Sequence, residues 1–207
     1  MIFPTVPVKA IAPLLGLLLS APTAPALMVE RVIEEVLPST PKTERVQPLA
    51  DVISRGEGDW NAVNRGRAGD TPGGLQWLLG HTCEKLLIAD LIEMQRQRRI
   101  YAVGRYQFIP STLLIALKHA EDVSPRDFFT PEVQDKLLVA LLEHKRPEVW
   151  EYLEGDGSVD AALDALAREW ASIGTVNGGT YYQGTSNRAH ITRDEAKVAL
   201  EESKELF

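Results

Sequence analysis

Cysteine is almost absent from this sequence, since Cys83 is the single one in 207 residues. An intrachain disulfide is therefore impossible, and we expect the Cys83 thiol to be a small buried apolar group. His81 and Cys83 are too few to hold zinc, and the other three histidines lie at no zinc-ligand spacing. No phosphate-binding glycine loop and no HExxH pattern occurs. The sequence therefore predicts neither a metal nor a cofactor.

Basic residues are also fewer than acidic ones. Lysine and arginine number 22 against 29 aspartates and glutamates, which gives a formal net charge of −7. Nucleic-acid binding requires a basic excess to displace counterions, so it is not expected as the main task of this chain. The length and the hydrophobic fraction of 44% suit one domain of about 150 residues plus an extension.

The first 28 residues are apolar, with Lys9 as their only charge. Leu14–Leu19 followed by small residues is typical of a secretory signal. Five prolines in the segment disfavour a long transmembrane helix. We keep two interpretations of residues 1–28, a cleaved signal and a segment that docks in a larger assembly. Residues 29–47 combine a short amphipathic stretch with a proline-rich linker, and a globular domain is predicted over residues 48–207.

One glutamate, Glu57, lies between two glycines at the end of a predicted helix. Apolar residues at helical spacing predict a helix over residues 48–55, which Gly56 and Gly58 end. The negative end of the helix dipole would raise the pKa of Glu57, as a general acid near neutral pH requires. The alternative is an exposed glutamate in a helix-ending turn.

The segment after Glu57, residues 59–81, is rich in glycine, asparagine and aspartate, and it predicts turns with a small hairpin. Asn64 has the amide chemistry to hydrogen-bond a sugar. Asp59 and Asp70 are the available second carboxylates. All three residue types are also common in turns for backbone reasons alone.

Two later segments carry polar and aromatic side chains. Residues 104–107 (Gly-Arg-Tyr-Gln) predict a turn before a helix that begins at Pro110, so Tyr106 and Gln107 lie where free backbone donors collect. A lone carboxylate joined by such a patch suits acid chemistry on a sugar chain. For Tyr106 the alternative is a core position. In the loop at 174–190, the side chains that suit sugar binding are Tyr181, Tyr182, Gln183 and Asn187.

Further helices are predicted from local signals. Their proposed starts are Thr82 (a helix running to about Arg99), Pro131, Ser158 and Thr192. Trp170 ends an apolar stripe at helical spacing, so we interpret it as a core residue.

In their order and spacing, these motifs resemble the lysozyme-like peptidoglycan-cleaving enzymes of bacteriophages, including lambda-type endolysins. The matching elements are residues 54–58, 104–107, 128–142, 168–174 and the loop that follows. The resemblance covers roughly residues 48–200. It implies a mainly α, lysozyme-like α+β fold, in which a single helical domain carries a small irregular or β lobe after the catalytic glutamate.

The resemblance also implies a function: cleavage of the β-1,4 bond between N-acetylmuramic acid and N-acetylglucosamine in peptidoglycan. Glu57 would be the acid, and Asn64, Tyr106, Gln107 and the loop from Tyr181 to Asn187 would hold the glycan. A lytic transglycosylase needs one carboxylate, because the sugar's own 6-hydroxyl attacks. A hydrolase usually needs a second one, here Asp59 or Asp70. The resemblance favours the transglycosylase.

A different class of function is also open. The domain would then be a structural or wall-docking part of a phage tail or baseplate, with little turnover. In either case the expected location is a phage virion, or the periplasm and cell wall after export. The expected partners are peptidoglycan strands and, through residues 1–28, other virion proteins.

Overall fold

The computed structural model of this protein describes residues 40–207, so the interpretations of residues 1–28 and of residues 29–39 lie outside the described part. Residues 40–207 form one compact unit that is mainly helical. Its helices are α1 (Lys42–Arg45), α2 (Gln47–Glu57), α3 (Gly74–Leu79), α4 (Ile88–Arg96), α5 (Pro110–His119), α6 (Pro131–His144), α7 (Pro147–Glu154), α8 (Val159–Glu169) and α9 (Arg193–Lys204). The same residues contain two short strands, β1 (Val63–Asn64) and β2 (Ala102–Val103), and two 3-10 turns, Gly66–Ala68 and Cys83–Lys85.

Helix starts follow the local sequence signals. Pro110 and Pro131 occupy the first turns of α5 and α6, where a missing backbone N–H costs nothing. The Thr130 hydroxyl accepts a hydrogen bond from the Val133 N–H and so caps α6. α9 begins after Thr192, as predicted, and Thr192 and Glu195 form a capping box there.

The core is centred on α6, whose residues from Leu137 to Leu142 are all buried. α5 and α7 pack against α6, while α9 packs against α2 and α8 packs against α7. The predicted burial of Cys83 and Trp170 is confirmed. Because α9 lies against α2, the chain's last helix supports the helix that carries Glu57 at its end.

A small lobe follows α2, as predicted, and it combines a local antiparallel bridge with a long-range strand pair. β1 pairs with β2 in antiparallel register, Val63 opposite Val103 and Asn64 opposite Ala102. The hairpin expected within residues 59–81 is present on a small scale, as an antiparallel bridge between Asn64 and Asp70, and residues 74–79 of that segment are helical. Pairing with β2 brings the turn at 104–107 beside the chain that follows Glu57.

The helix predicted from Thr82 to Arg99 is shorter, because the backbone on its N-terminal side has other partners. Residues 83–85 form a single 3-10 turn, and Leu86 then accepts a hydrogen bond from the Phe129 N–H. Thr82 makes no side-chain cap, and neither does Ser158 at the start of α8.

Candidate active site

Glu57 is the last residue of α2, at the position the sequence predicted. Gly58 ends the helix with φ 148° and ψ −168°, a conformation that favours glycine. Gly56, which was expected to end the helix with Gly58, is instead still helical. The chain turns away directly after Glu57, which leaves its carboxyl group facing an open cleft.

The cleft consists of two adjoining cavities that share Glu57, Asp70 and Gln107 in their lining. The larger cavity, of about 690 Å³, extends between the small lobe and the loop at 174–190. The smaller one, of about 380 Å³, extends from Glu57 towards the start of α3. Glu57 thus lies where the two cavities meet, which is the place for a group that acts on the middle of an extended ligand.

The environment of Glu57 favours its protonated form. Burial raises the pKa of this carboxyl above its ordinary value, and the negative charges of Asp70 and Glu169 raise the pKa further. Hydrogen bonding from Ser172 acts against this shift in pKa. The Ser172 hydroxyl donates to Glu57 Oε1 at 2.5 Å. The result is a carboxylic acid that is held in place and keeps its proton to higher pH than a free glutamate does.

Gln107 lies in the cleft as predicted. It lines both cavities, and its backbone adopts a left-handed conformation with φ 50°. Its side-chain amide donates to the Gly104 carbonyl at 2.9 Å. A non-glycine residue with positive φ is uncommon, and such residues are concentrated at functional sites.

Tyr106 is among the residues that line the larger cavity, as predicted, but its phenol group is buried and already bonded, which does not suit the predicted contact with a sugar. Only 1% of this residue is exposed, and the hydroxyl donates to the Asp135 carboxylate. The ring packs edge-on against Trp60 and Phe108. The Trp170 indole N–H donates to the Tyr106 carbonyl at 3.1 Å. Tyr106 is therefore the core aromatic with a satisfied hydroxyl that was its alternative interpretation.

The remaining predicted residues of the small lobe do lie along the cleft. The Asn64 amide donates to Asp70 Oδ1 at 2.7 Å, and Asn64 Oδ1 accepts from the Gly66 N–H. Asp59 lines only the smaller cavity, where its Oδ1 accepts from the Asn61 N–H at 2.8 Å. Of the two candidate second carboxylates, Asp70 is the one in both cavities with Glu57.

The loop residues divide between two surfaces. Tyr182 and Asn187 line the larger cavity of the cleft. Tyr181 lines a different groove, formed with α7 and α8. Gln183 is exposed and is not among the residues that line the cleft. Two of the four predicted loop residues therefore lie where a glycan beside Glu57 would reach them.

Sequence reasoning missed Glu169, which lines the larger cavity. Its side chain is only 5% exposed and binds two cations, Lys145 at 2.7 Å and Arg146 at 2.7 Å. The Lys145 ammonium also donates to Thr112 at 2.7 Å. The available signal was an ionisable residue directly before Trp170, at the end of a predicted helix.

Tyr101 was also missed. It is 49% exposed and lines the larger cavity directly before β2. An exposed aromatic ring beside a polar cleft has a face on which a pyranose ring can stack.

Within residues 40–207, no three histidine, cysteine, aspartate or glutamate side chains are grouped so that they could hold a metal ion. No helix in the same range is long and apolar enough to cross a membrane. Comparison of the chain with protein-family models, curated proteins and solved structures found no match.

Proposed function

We propose that this chain is a peptidoglycan-cleaving muramidase of the lytic transglycosylase type, with Glu57 as its acid. The observation that carries the proposal is the Glu57 carboxyl group, which has a raised pKa and faces an open polar cleft at its midpoint. A general acid with these properties can protonate a glycosidic oxygen near neutral pH. The motifs that resemble phage lysozyme-like enzymes give the substrate class.

The proposed reaction uses Glu57 twice. Its carboxyl group first gives a proton to the glycosidic oxygen, and the bond from that oxygen to C1 of N-acetylmuramic acid breaks. The carboxylate then accepts the proton of the 6-hydroxyl of the same sugar, while the hydroxyl oxygen forms a bond to C1. Glu57 ends protonated, and the product carries a 1,6-anhydro end without consuming water.

The other groups of the cleft suit supporting roles in this reaction. Positive charge develops on the sugar ring as the bond to C1 breaks, and the Asp70 carboxylate shares both cavities with Glu57. The Asn64 amide holds Asp70 by a hydrogen bond of 2.7 Å. The side chains in a position to contact the glycan are those of Tyr101, Gln107, Tyr182 and Asn187.

The proposal extends to the fold and the location. A helix that ends at the acid and is followed at once by a small two-stranded lobe fits a lysozyme-like arrangement. Action on the cell wall places the protein in a phage virion or outside the bacterial cytoplasm after export.

Mass analysis of the soluble products that the purified full chain releases from peptidoglycan tests this proposal. Fragments with 1,6-anhydro-muramic ends are expected. Reducing muramic ends, heavier by one water, would make the enzyme a hydrolase and would assign Asp70 as the second carboxylate. A chain that binds peptidoglycan but releases no fragments would instead be a wall-docking protein.

A further inference from the structure

A second groove lies outside the cleft. It has a volume of about 520 Å³ and is formed by α7, α8 and the start of the loop at 174–190. Two small residues of α8, Ala161 and Ala167, line it together with Val176 and Tyr181 of the loop. Val176 and Tyr181 are both largely exposed. Exposed apolar side chains beside a concave surface mark a binding site more often than isolated ones do.

The groove and the cleft share one thin wall. Arg168 lines the groove while the next residue, Glu169, lines the cleft. In the same way Tyr181 lines the groove while Tyr182 lines the cleft. The Tyr182 hydroxyl donates to the Arg168 carbonyl at 2.7 Å, which ties the two halves of the wall together. A ligand that leaves the cleft over this wall therefore enters the groove.

Charges of both signs border the groove. The Arg168 guanidinium pairs with Glu148 at 2.6 Å, and Arg193 pairs with Asp164 at 2.7 Å. Arg168, Glu148 and Asp164 all keep exposed surface. A ligand with both carboxylate and ammonium groups finds an opposite charge for each of them, whereas an uncharged sugar chain does not need them.

We propose that this groove binds the peptide stem of peptidoglycan, an inference that rests on the proposed function. The stem is attached to the lactyl group of N-acetylmuramic acid and carries carboxylates and, in many walls, the free ammonium of a diamino acid. An extended stem of four residues spans about 13 Å, enough to cross a wall one side chain thick and lie along the groove. The stem would present its methyl groups to the exposed side chains of Ala161 and Val176 and its charged groups to the ion pairs.

Filling the groove tests this proposal in the full chain. Ala161→Trp places a large side chain on an exposed position of α8 that lines the groove. Ala89→Trp, at an exposed helical alanine that lines neither the cleft nor the groove, is the matched control. Each protein is assayed on glycan strands that keep their stems and on the same strands after an amidase has removed the stems.

We expect Ala161→Trp to lower kcat/KM by about fivefold to tenfold on stem-bearing strands and by less than about twofold on stem-free strands. Ala89→Trp should change neither value. Equal effects of Ala161→Trp on both substrates, or no effect on stem-bearing strands, would overturn the proposal while leaving the cleavage function intact.

Direct binding separates this inference from the proposed function. A free tetrapeptide stem with a diamino acid, added to the full chain, should shift the backbone NMR signals of Thr175 and Val176. Acetylation of its free ammonium should weaken the effect. If the wild-type chain cleaves no peptidoglycan but these shifts occur, the groove binds the peptide stem and the proposed cleavage function is wrong. If cleavage occurs and the peptide leaves both signals unmoved, the groove proposal is wrong.

Discussion

Ser172 packs directly on Gly56: a Cβ placed on residue 56 would lie 2.5 Å from both Cβ and Oγ of Ser172. The same Ser172 hydroxyl donates to Glu57, the neighbour of Gly56. Glycine at position 56 therefore lets the segment after α8 come close enough to hold the candidate acid. The hydrogen bond between Ser172 and Glu57 joins two parts of the chain that are 115 residues apart.

Gly56→Ala should therefore impair activity. An alanine in a helix interior normally gains about 0.5–1 kcal/mol over glycine, but overpacking here costs about 1–3 kcal/mol and displaces Ser172. We expect a lower melting temperature together with a loss of peptidoglycan cleavage. Gly179→Ala is the control, since no atom lies within 4 Å of its added Cβ. Full activity of a stable Gly56→Ala protein would show that the Ser172 contact is dispensable.

Glu57→Gln keeps the shape of the acid and removes its proton. Cleavage should fall by about 10²–10⁴-fold with folding preserved, as measured by product release and circular dichroism. Glu84→Gln, at an exposed glutamate, should leave activity unchanged. A well-folded Glu57→Gln protein that retains most of its activity would remove Glu57 from the mechanism.

The raised pKa of Glu57 also couples to stability. A carboxyl group of this kind stabilises the folded protein fully below its ordinary pKa of 4.5, and this contribution is lost as pH rises through the folded pKa. Glutamine never ionises, so Glu57→Gln does not lose this contribution. Its free energy of unfolding should therefore increase relative to that of the wild type as pH rises from 4.5 to neutral. Urea unfolding at several pH values measures this difference. If the two free energies of unfolding differ by the same amount at every pH, the pKa of Glu57 is not raised.

The pH profile of activity should respond to Ser172. A general acid acts only while protonated, so kcat/KM should decline as pH rises through the raised pKa of Glu57. Ser172→Ala removes a hydrogen bond that lowers this pKa. The decline should therefore move to higher pH in the variant. An unmoved or lowered midpoint would mean that Ser172 does not bind the ionised form of Glu57.

Glu169→Gln should act in the opposite direction on the same profile. The Glu169 charge raises the pKa of Glu57, so removing it should move the decline in kcat/KM to lower pH. The variant also leaves Lys145 and Arg146 without their shared carboxylate, and breaking such a partly buried network costs about 3–5 kcal/mol. Thr112→Val, which removes another Lys145 partner and no charge, should lower stability less and leave the midpoint unchanged. If kcat/KM declines at the same pH in the wild type and in Glu169→Gln, the charge of Glu169 does not raise the pKa of Glu57.

Local signals were enough to place part of the site and not the rest. Glu57 at the end of a helix, the turn before Pro110 and the cap at Thr192 each depend on a few neighbouring residues, and each was predicted. Val63 and Val103, which pair, are 40 positions apart in the sequence. A strand of two residues has too short a sequence pattern to predict which strand it pairs with. The burial of Tyr106 depends on Asp135 from α6, and the role of Glu169 depends on Lys145 and Arg146. Such contacts form only when distant helices pack.

The final prediction concerns where the folded unit begins. α1 packs against α6, Lys42 pairs with Glu143 at 2.5 Å and Arg45 lies over the Phe207 ring at 4.7 Å. The residues that make these contacts, Lys42 and Arg45, precede residue 48, where the domain was predicted to start.

We expect a chain shortened to residues 40–207 to fold and to cleave peptidoglycan as the full chain does. A chain shortened to residues 46–207 should melt several degrees lower, because a loss of about 1 kcal/mol shifts the melting temperature by roughly 2–4 °C in a domain of this size. Equal melting temperatures would show that residues 42–45 add nothing to the fold. An unfolded 40–207 chain beside a stable full chain would show that the domain needs residues before Thr40.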